Sequence, residues 1–218
     1  MKAHTVVFCD FDGTITATET FADMLKEFAP DISARLLPLI YARTLTLNAG
    51  VKQILGSIPA NQYQQIIKRT ADRSIRSGFI EFLDFLQIHH VPFIVVSGGL
   101  LGMVKAVLEH LQRVKSLSGK ITAIHAADVD TTGEYLQVNS QWEGDTELVD
   151  KVKVMEAYPA AETIAIGDSV TDINMALRAN LVFARDRLIA YLEAENKPYI
   201  PWNDFFDIQS YLARKWAR

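Results

Sequence analysis

Asp10 and Asp12 flank Phe11, directly before Gly13 and Thr14 and directly behind the apolar run Thr5–Cys9. An uninterrupted apolar run is the pattern of a strand covered on both faces, so the pair is expected at the end of a buried parallel strand. Side chains alternate along an extended backbone, which would put Asp10 and Asp12 on one side and Phe11 on the other. Two carboxylates converging there repel each other and lose hydration, and a bound cation or a shared proton relieves the cost. One aspartate in this place would read as a turn cap. A pair followed by glycine, which permits a sharp turn and close approach to a ligand, points to chemistry.

Two further strand ends carry compatible groups. Ser97-Gly98-Gly99 follows the apolar run Val91–Val96 and offers a hydroxyl and unhindered N–H groups just ahead of a helix, as a phosphate cradle would. Gly167-Asp168-Ser169 follows Thr163–Ile166, and Asp172, one helical turn on, could hold a metal-bound water or orient a lysine. Together these suit phosphoryl transfer, which needs an in-line nucleophile, charge neutralisation and a proton donor for the leaving oxygen. A carboxylate can be that nucleophile, passing through an aspartyl phosphate. Attack of an anion on an anion calls for a hard cation; Mg2+ prefers oxygen ligands, and Asp10 and Asp168 are natural ones. A second cation is expected from Lys151 or Lys153 at the start of a helix, although either also fits a solvated helix face. No P-loop or Gly-x-Gly-x-x-Gly pattern occurs, and His4, His89, His90, His110 and His125 show no metal-ligand spacing.

The elements that must position these groups follow from periodicity. Residues 17–74 show helical patterns and no convincing strand: Thr20–Phe28, ending at Pro30; Asp31–Tyr41, with Asp31 as N-cap and Pro38 as a kink; Thr46–Leu55; and Gln62–Arg73. That stretch is too long for one βα crossover and is read as an inserted helical cap, leaving 1–16 and 75–218 as the catalytic core. In the core, helices are expected at Ser77–His89, Leu100–Val114, Leu148–Tyr158, Asp172–Ala179, Leu188–Glu195 and Phe205–Trp216. Leu181–Ala184 reads as a short strand, and Ile121–Ala127 with Tyr135–Trp142 as a hairpin around Thr132-Gly133. Alternating strands and helices predict an α/β protein with a doubly wound, Rossmann-like parallel sheet, which binds ligands beyond the carboxyl ends of its strands.

Composition narrows the partners. Of 218 residues, 49% are apolar and 22% charged, as in an ordinary globular protein, and a net charge of −4 argues against a nucleic-acid partner. The single cysteine, Cys9, leaves no intrachain disulfide, fits a reducing compartment and reads as a small buried hydrophobe. No leader pattern precedes Thr5 and no apolar run nears the roughly 18 residues of a membrane span. A cytoplasmic protein with a small phosphorylated metabolite as partner, away from membranes, is expected; no oligomeric state follows.

Asp10-Phe-Asp-Gly-Thr14, Ser97-Gly98-Gly99, a lysine at 151 or 153 and Gly167-Asp-Ser-Val-Thr-Asp172 resemble the four ordered motifs of the haloacid dehalogenase superfamily over essentially the whole chain. The helical insert after the first motif resembles its subgroup with a small helical cap. The resemblance implies a Mg2+-dependent phosphomonoester hydrolase in which Asp10 is the nucleophile and Asp12 protonates the leaving alkoxide, then deprotonates the attacking water. It implies Mg2+ on Asp10, the Asp12 carbonyl and Asp168, and phosphate on Ser97, Gly98 and Lys151, with Thr14 and Asp172 in support. Lys151 is preferred to Lys153 because Lys151-Val-Lys-Val-Met155 is similar to the lysine motif. An aspartate at position 12 favours phosphatase over dehalogenase.

Within the superfamily, Phe28-Ala-Pro30, Gly50-Val51, Phe183-Ala-Arg-Asp186 and Pro201-Trp-Asn-Asp-Phe205 look like the methionine-salvage phosphatases. Their thioether substrate would suit apolar cap residues such as Phe21, Met24 and Leu47. Phosphoserine phosphatase is the cousin and the alternative: Glu19 stands where that enzyme has a glutamate reading the substrate's amino group. Readings of another kind are a non-catalytic binder of phosphorylated metabolites, against which Asp12 argues because binding alone needs no acid or base, and a phosphotransferase.

Overall fold

The computed structural model describes residues 3–114 and 117–217. Seven strands, β1 (Ala3–Cys9), β2 (Phe93–Leu100), β3 (Ala123–Asp130), β4 (Gln137–Asn139), β5 (Ala160–Gly167), β6 (Leu181–Ala184) and β7 (Ile200–Pro201), form one sheet in the order β4-β3-β2-β1-β5-β6-β7. All neighbours run parallel except β3 and β4. β1 is central, and successive connections leave it first towards β2 and later towards β5, so the winding reverses at the strand that ends in Asp10. Register brings Cys9 level with Val95 and Ile166, which aligns the strand ends.

Between β1 and β2 lie α1 (Phe21–Phe28), α2 (Pro30–Tyr41), α3 (Leu47–Leu55), α4 (Tyr63–Thr70) and α5 (Phe79–Ile88); then follow α6 (Leu101–Val114), α7 (Lys151–Ala157), α8 (Ile173–Arg178), α9 (Asp186–Ala194) and α10 (Phe205–Trp216). Alternation along β1 explains the layering. Val7 and Cys9, with Val95 and Ile166, face α5, α6 and α10, whereas Val6 and Phe8, with Ile94 and Ala165, face α7, α8 and α9. On the first face Phe79, Phe82, Phe93 and Phe205 pack at ring separations of 5.2–6.1 Å. Such pairs add about 0.5–1.5 kcal/mol each beyond burial. The protein is α/β and doubly wound.

The helices after β1 are tied back to the sheet layer at several places. Thr16 and Ile75 form an antiparallel bridge, with Ala17 N–H on the Ser74 carbonyl and Arg76 N–H on that of Ile15, both at 2.9 Å. On α3, Asn48 donates its N–H to the Thr146 carbonyl at 3.0 Å and its amide NH2 to Glu143 and to the Gly144 carbonyl, both at 2.9 Å.

Several boundaries differ from expectation. β2 does not stop at Val96 but runs through Ser97-Gly98-Gly99, with a register shift against β3 between Val96 and Leu100, because glycines let the strand bend without breaking. Pro30 begins α2 rather than merely ending α1, since the first helical position needs no N–H partner, and Pro38 lies inside an unbroken α2. α7 starts at Lys151, not Leu148, because the Asp150 carboxylate caps the N–H groups of Val152 and Lys153 at 3.0 and 3.1 Å. The helix expected from Asp172 is a 3-10 turn, Val170–Asp172, followed by α8. The hairpin forms, but β4 has only three residues. β7 was not anticipated: it is an edge strand, where Pro201 needs no ladder donor.

Candidate active site

β1 delivers Asp10 to the floor of the site. Its N–H bonds the Ile166 carbonyl at 2.9 Å, and the residue is 2% exposed. β1 ends at Cys9, but the side-chain alternation continues, with Phe11 packed beside Val7 and Cys9 on the opposite face. Asp12 starts a turn that Gly13 completes at φ +83°, where a Cβ would stand 2.5 Å from Asp168 Oδ2. Asp10 and Asp12 line one cavity. Asp12 reaches the start of α1: its Oδ2 accepts the Phe21 N–H at 2.9 Å, and its Oδ1 accepts the Thr20 N–H at 2.5 Å and the Thr20 hydroxyl. The Asp12 carboxylate thereby couples the loop after β1 to the first helix beyond it, a contact with no short-range signal beyond the eight-residue spacing.

Lys151, fully buried, donates from Nζ to Asp10 Oδ1 at 2.5 Å and to Asp172 Oδ1 at 2.6 Å. It occupies the first turn of α7, where the helix dipole disfavours a cation, so the two carboxylates must hold it. Lys153 is exposed and bonds the Glu143 carbonyl at 2.9 Å, away from this cluster. Asp172 closes a capping box with Ser169, its Oδ2 accepting the N–H groups of Asp168 and Ser169 at 2.9 and 3.0 Å. Gly167 makes room: a Cβ there would meet Asp172 Cγ at 2.5 Å. Thr14 Oγ1 donates to Asp168 Oδ1 at 2.7 Å. Ser97 is 1% exposed and accepts the Gly99 N–H on its hydroxyl at 3.0 Å, while Gly98 and Gly99 line the cavity.

Burial dominates the electrostatics. It pushes Asp10 up to about 7, reinforced by Asp172 and opposed by Lys151. Asp12 rises to about 6 through burial, against the stabilising donors of Thr20 and Phe21. Burial and the neighbouring Asp10 and Asp172 hold Asp168 well above the ordinary carboxylate range. For Lys151, burial acts downwards, but Asp10 and Asp172 outweigh it and keep the ammonium charged. Cys9 is pushed up by burial and remains a neutral thiol, in keeping with a packing role.

The excess of negative charge fits a cation. Carboxylate oxygens of Asp10, Asp168 and Asp172 lie within 4.8 Å of one another. Both oxygens of Asp172 are already engaged, whereas Asp10 Oδ2 and Asp168 Oδ2 have no hydrogen-bond donor among the described residues. Two oxygens free beside one lysine make a hard, oxygen-preferring divalent ion the suitable occupant.

Above these groups the cavity is walled by Phe21, Leu25, Leu37, Ile40, Leu47 and Val51, with Glu19 and Tyr41 also lining it. Met24, expected beside Phe21 and Leu47, is instead packed into the core at 2% exposure. Arg76 escaped notice in the sequence: from the return segment it donates to the Gly13 and Thr14 carbonyls, the latter at 2.8 Å, and lies 5.4 Å from the Trp202 ring centroid. Among the described residues no helix is long and apolar enough to cross a membrane.

Known proteins share this arrangement of chain. A 2-hydroxy-3-keto-5-methylthiopentenyl-1-phosphate phosphatase of Microcystis aeruginosa (strain NIES-843 / IAM M-2473) is 59% identical over 207 residues, covering 95% of this chain and 97% of that protein. A protein of the same description from Exiguobacterium sp. (strain ATCC BAA-1283 / AT1b) is 34% identical over 97% of this chain and 98% of its own length. Among solved structures, a phospho-aspartyl intermediate analogue of phosphoserine phosphatase superposes with a TM-score of 0.66 at 19% identity, covering 97% of this chain and 99% of that one. Phosphoserine phosphatase from T. onnurineus, in complex with NDSB-201, gives 0.71 at 15% identity, covering 96% and 94%. These likenesses establish the fold alone. The family model for haloacid dehalogenase-like hydrolases matches residues 7–177, a span running from β1 through Lys151 to α8, and the chain belongs to that family.

Proposed function

We propose that the protein is a Mg2+-dependent phosphomonoester hydrolase that dephosphorylates 2-hydroxy-3-keto-5-methylthiopentenyl-1-phosphate in methionine salvage in the cytoplasm. The observation that carries the chemistry is the buried Asp10–Lys151–Asp172 cluster, whose Asp10 lines, with Asp12, a cavity with an apolar wall on its cap side. Support for the substrate comes from the 59% identical relative, and its thioether tail suits the side chains of α1, α2 and α3 that line that wall. An amino-acid leaving group would bring an ammonium and a carboxylate against the same wall and lose hydration there, which disfavours phosphoserine.

The Asp10 carboxylate attacks phosphorus while the bond to the leaving oxygen breaks, and Asp12 gives its proton to that oxygen. Asp12, now a carboxylate, takes a proton from the water that attacks the aspartyl phosphate; inorganic phosphate leaves and Asp10 is regenerated. Lys151 holds Asp10 in place and, with the Gly98 N–H and the Ser97 hydroxyl, binds the phosphoryl oxygens. Thr14 orients Asp168, and Asp172 braces Lys151. Mg2+, held by Asp10, Asp168 and the Asp12 carbonyl, would neutralise charge between the phosphate and its nucleophile. Residues 17–74 act as a cap that excludes water, with the Thr16–Ile75 bridge as its hinge.

Assays with an aryl phosphate, the methylthiopentenyl phosphate and phosphoserine, each with Mg2+, test both parts. Turnover that falls by at least about a thousandfold in Asp10→Asn is expected. No turnover, or turnover indifferent to that change, refutes the enzyme; preference for phosphoserine refutes the substrate.

A further inference from the structure

On the cap side of the cavity, where apolar side chains predominate, Glu19 is the charged residue, and Arg187 faces it. Arg187, on the exposed side of α9, places its guanidinium 3.8 Å from Glu19 Oε1 and 4.3 Å from the centroid of the Tyr41 ring at the end of α2. The second distance is that of a cation–π contact. Tyr191, one turn further along α9, donates its hydroxyl to the Tyr41 carbonyl at 3.3 Å. Glu19, Tyr41 and Arg187 thus come from the segment between β1 and α1, from α2 and from α9, and meet beside the cavity that Glu19 and Tyr41 line.

We propose that Arg187 is a specificity-determining residue that occupies Glu19 and, through Tyr41, closes the rim, so that leaving groups carrying an ammonium are rejected. An unpaired carboxylate in an apolar cavity would attract a cationic substrate; paired to Arg187, it offers no such partner and presents a nearly neutral rim to an apolar tail. The proposal rests on the phosphatase reading, and a separate measurement tells the two apart.

The probes are O-phosphoethanolamine and n-propyl phosphate, which differ in an ammonium replacing a methyl group. Arg187→Met removes the charge while keeping a long side chain. It is expected to raise the ratio of kcat/KM for the ammonium ester over the propyl ester about three- to fivefold, the scale of a partly exposed ion pair. Arg187→Gln, a second neutral variant, raises it similarly; Arg187→Lys keeps the wild-type ratio. Combining Glu19→Gln with Arg187→Met abolishes the rise. A ratio unmoved in both neutral variants, or a rise that survives Glu19→Gln, overturns the proposal. Aryl phosphate turnover by the unmodified protein is the independent check: its absence refutes the phosphatase reading, whereas its presence with an unmoved ratio refutes only the role of Arg187.

Discussion

Lys151 sits where an isolated helix would not place a cation, and the two buried carboxylates that flank it account for its position. Replacing it with methionine leaves Asp10 and Asp172 buried without their counter-charge. The expected cost is about 3–5 kcal/mol in chemical denaturation at pH 8. The loss shrinks at pH 6, where Asp10, already raised to about 7, takes up a proton. Asp12 has its own pH signature. In the proposed mechanism the first step needs its protonated form, and with a pKa near 6 that form is lost as pH rises. Where chemistry limits, kcat therefore declines above about pH 6, by up to about tenfold per unit, and Asp12→Asn removes that limb together with about 10²–10⁴ of the rate. Lys151 and Lys153 illustrate what spacing leaves open: both lie in the first turn of α7, and the choice depends on the face the Asp150 cap turns inward.

At the level of elements, the turn after β1 is the tightest constraint. Gly13→Ala imposes a strained φ and a clash with Asp168 Oδ2. A loss of about 1–3 kcal/mol is expected, with weaker Mg2+ dependence of activity, read by thermal unfolding and metal titration. Apolar runs made β1, β2 and β5 legible because a doubly covered strand has no polar face to show. Strand alternation holds through Asp12, which shares a cavity with Asp10 while Phe11 packs beside Val7 and Cys9, and only then does the left-handed Gly13 turn the chain. Helix starts at Lys151 and Ile173 shifted because a cap and a 3-10 turn, not periodicity, set them. The docking of α3 through Asn48, whose partners lie on the 143–146 loop, left no local trace at all.

Across the whole molecule, burying Asp10 and Asp168 together carries a stability cost that a bound cation would relieve. Asp10 binds a proton in the folded state between about pH 4 and 7, where the unfolded chain has released it. Stability of the metal-free protein therefore carries a term that falls as pH rises through that window. Chelator-treated protein is expected to gain less melting temperature than Asp10→Asn when both are moved from pH 6 to 7.5. Added Mg2+ raises the melting temperature more at pH 7.5, by an amount equivalent to about 2.7 kcal/mol at a hundredfold excess over Kd. The α/β class, the polar strand ends and the helical stretch after β1 can be read from the chain because each depends on residues close in sequence. Which lysine meets Asp10, how Asp12 reaches α1, and that Arg187 closes on Glu19 depend on side chains brought together from distant segments. Hydrophobic periodicity records which face of an element is buried, not which partner it is buried against, and it is the packing of α1, α7 and α9 around the end of β1 that supplies those partners.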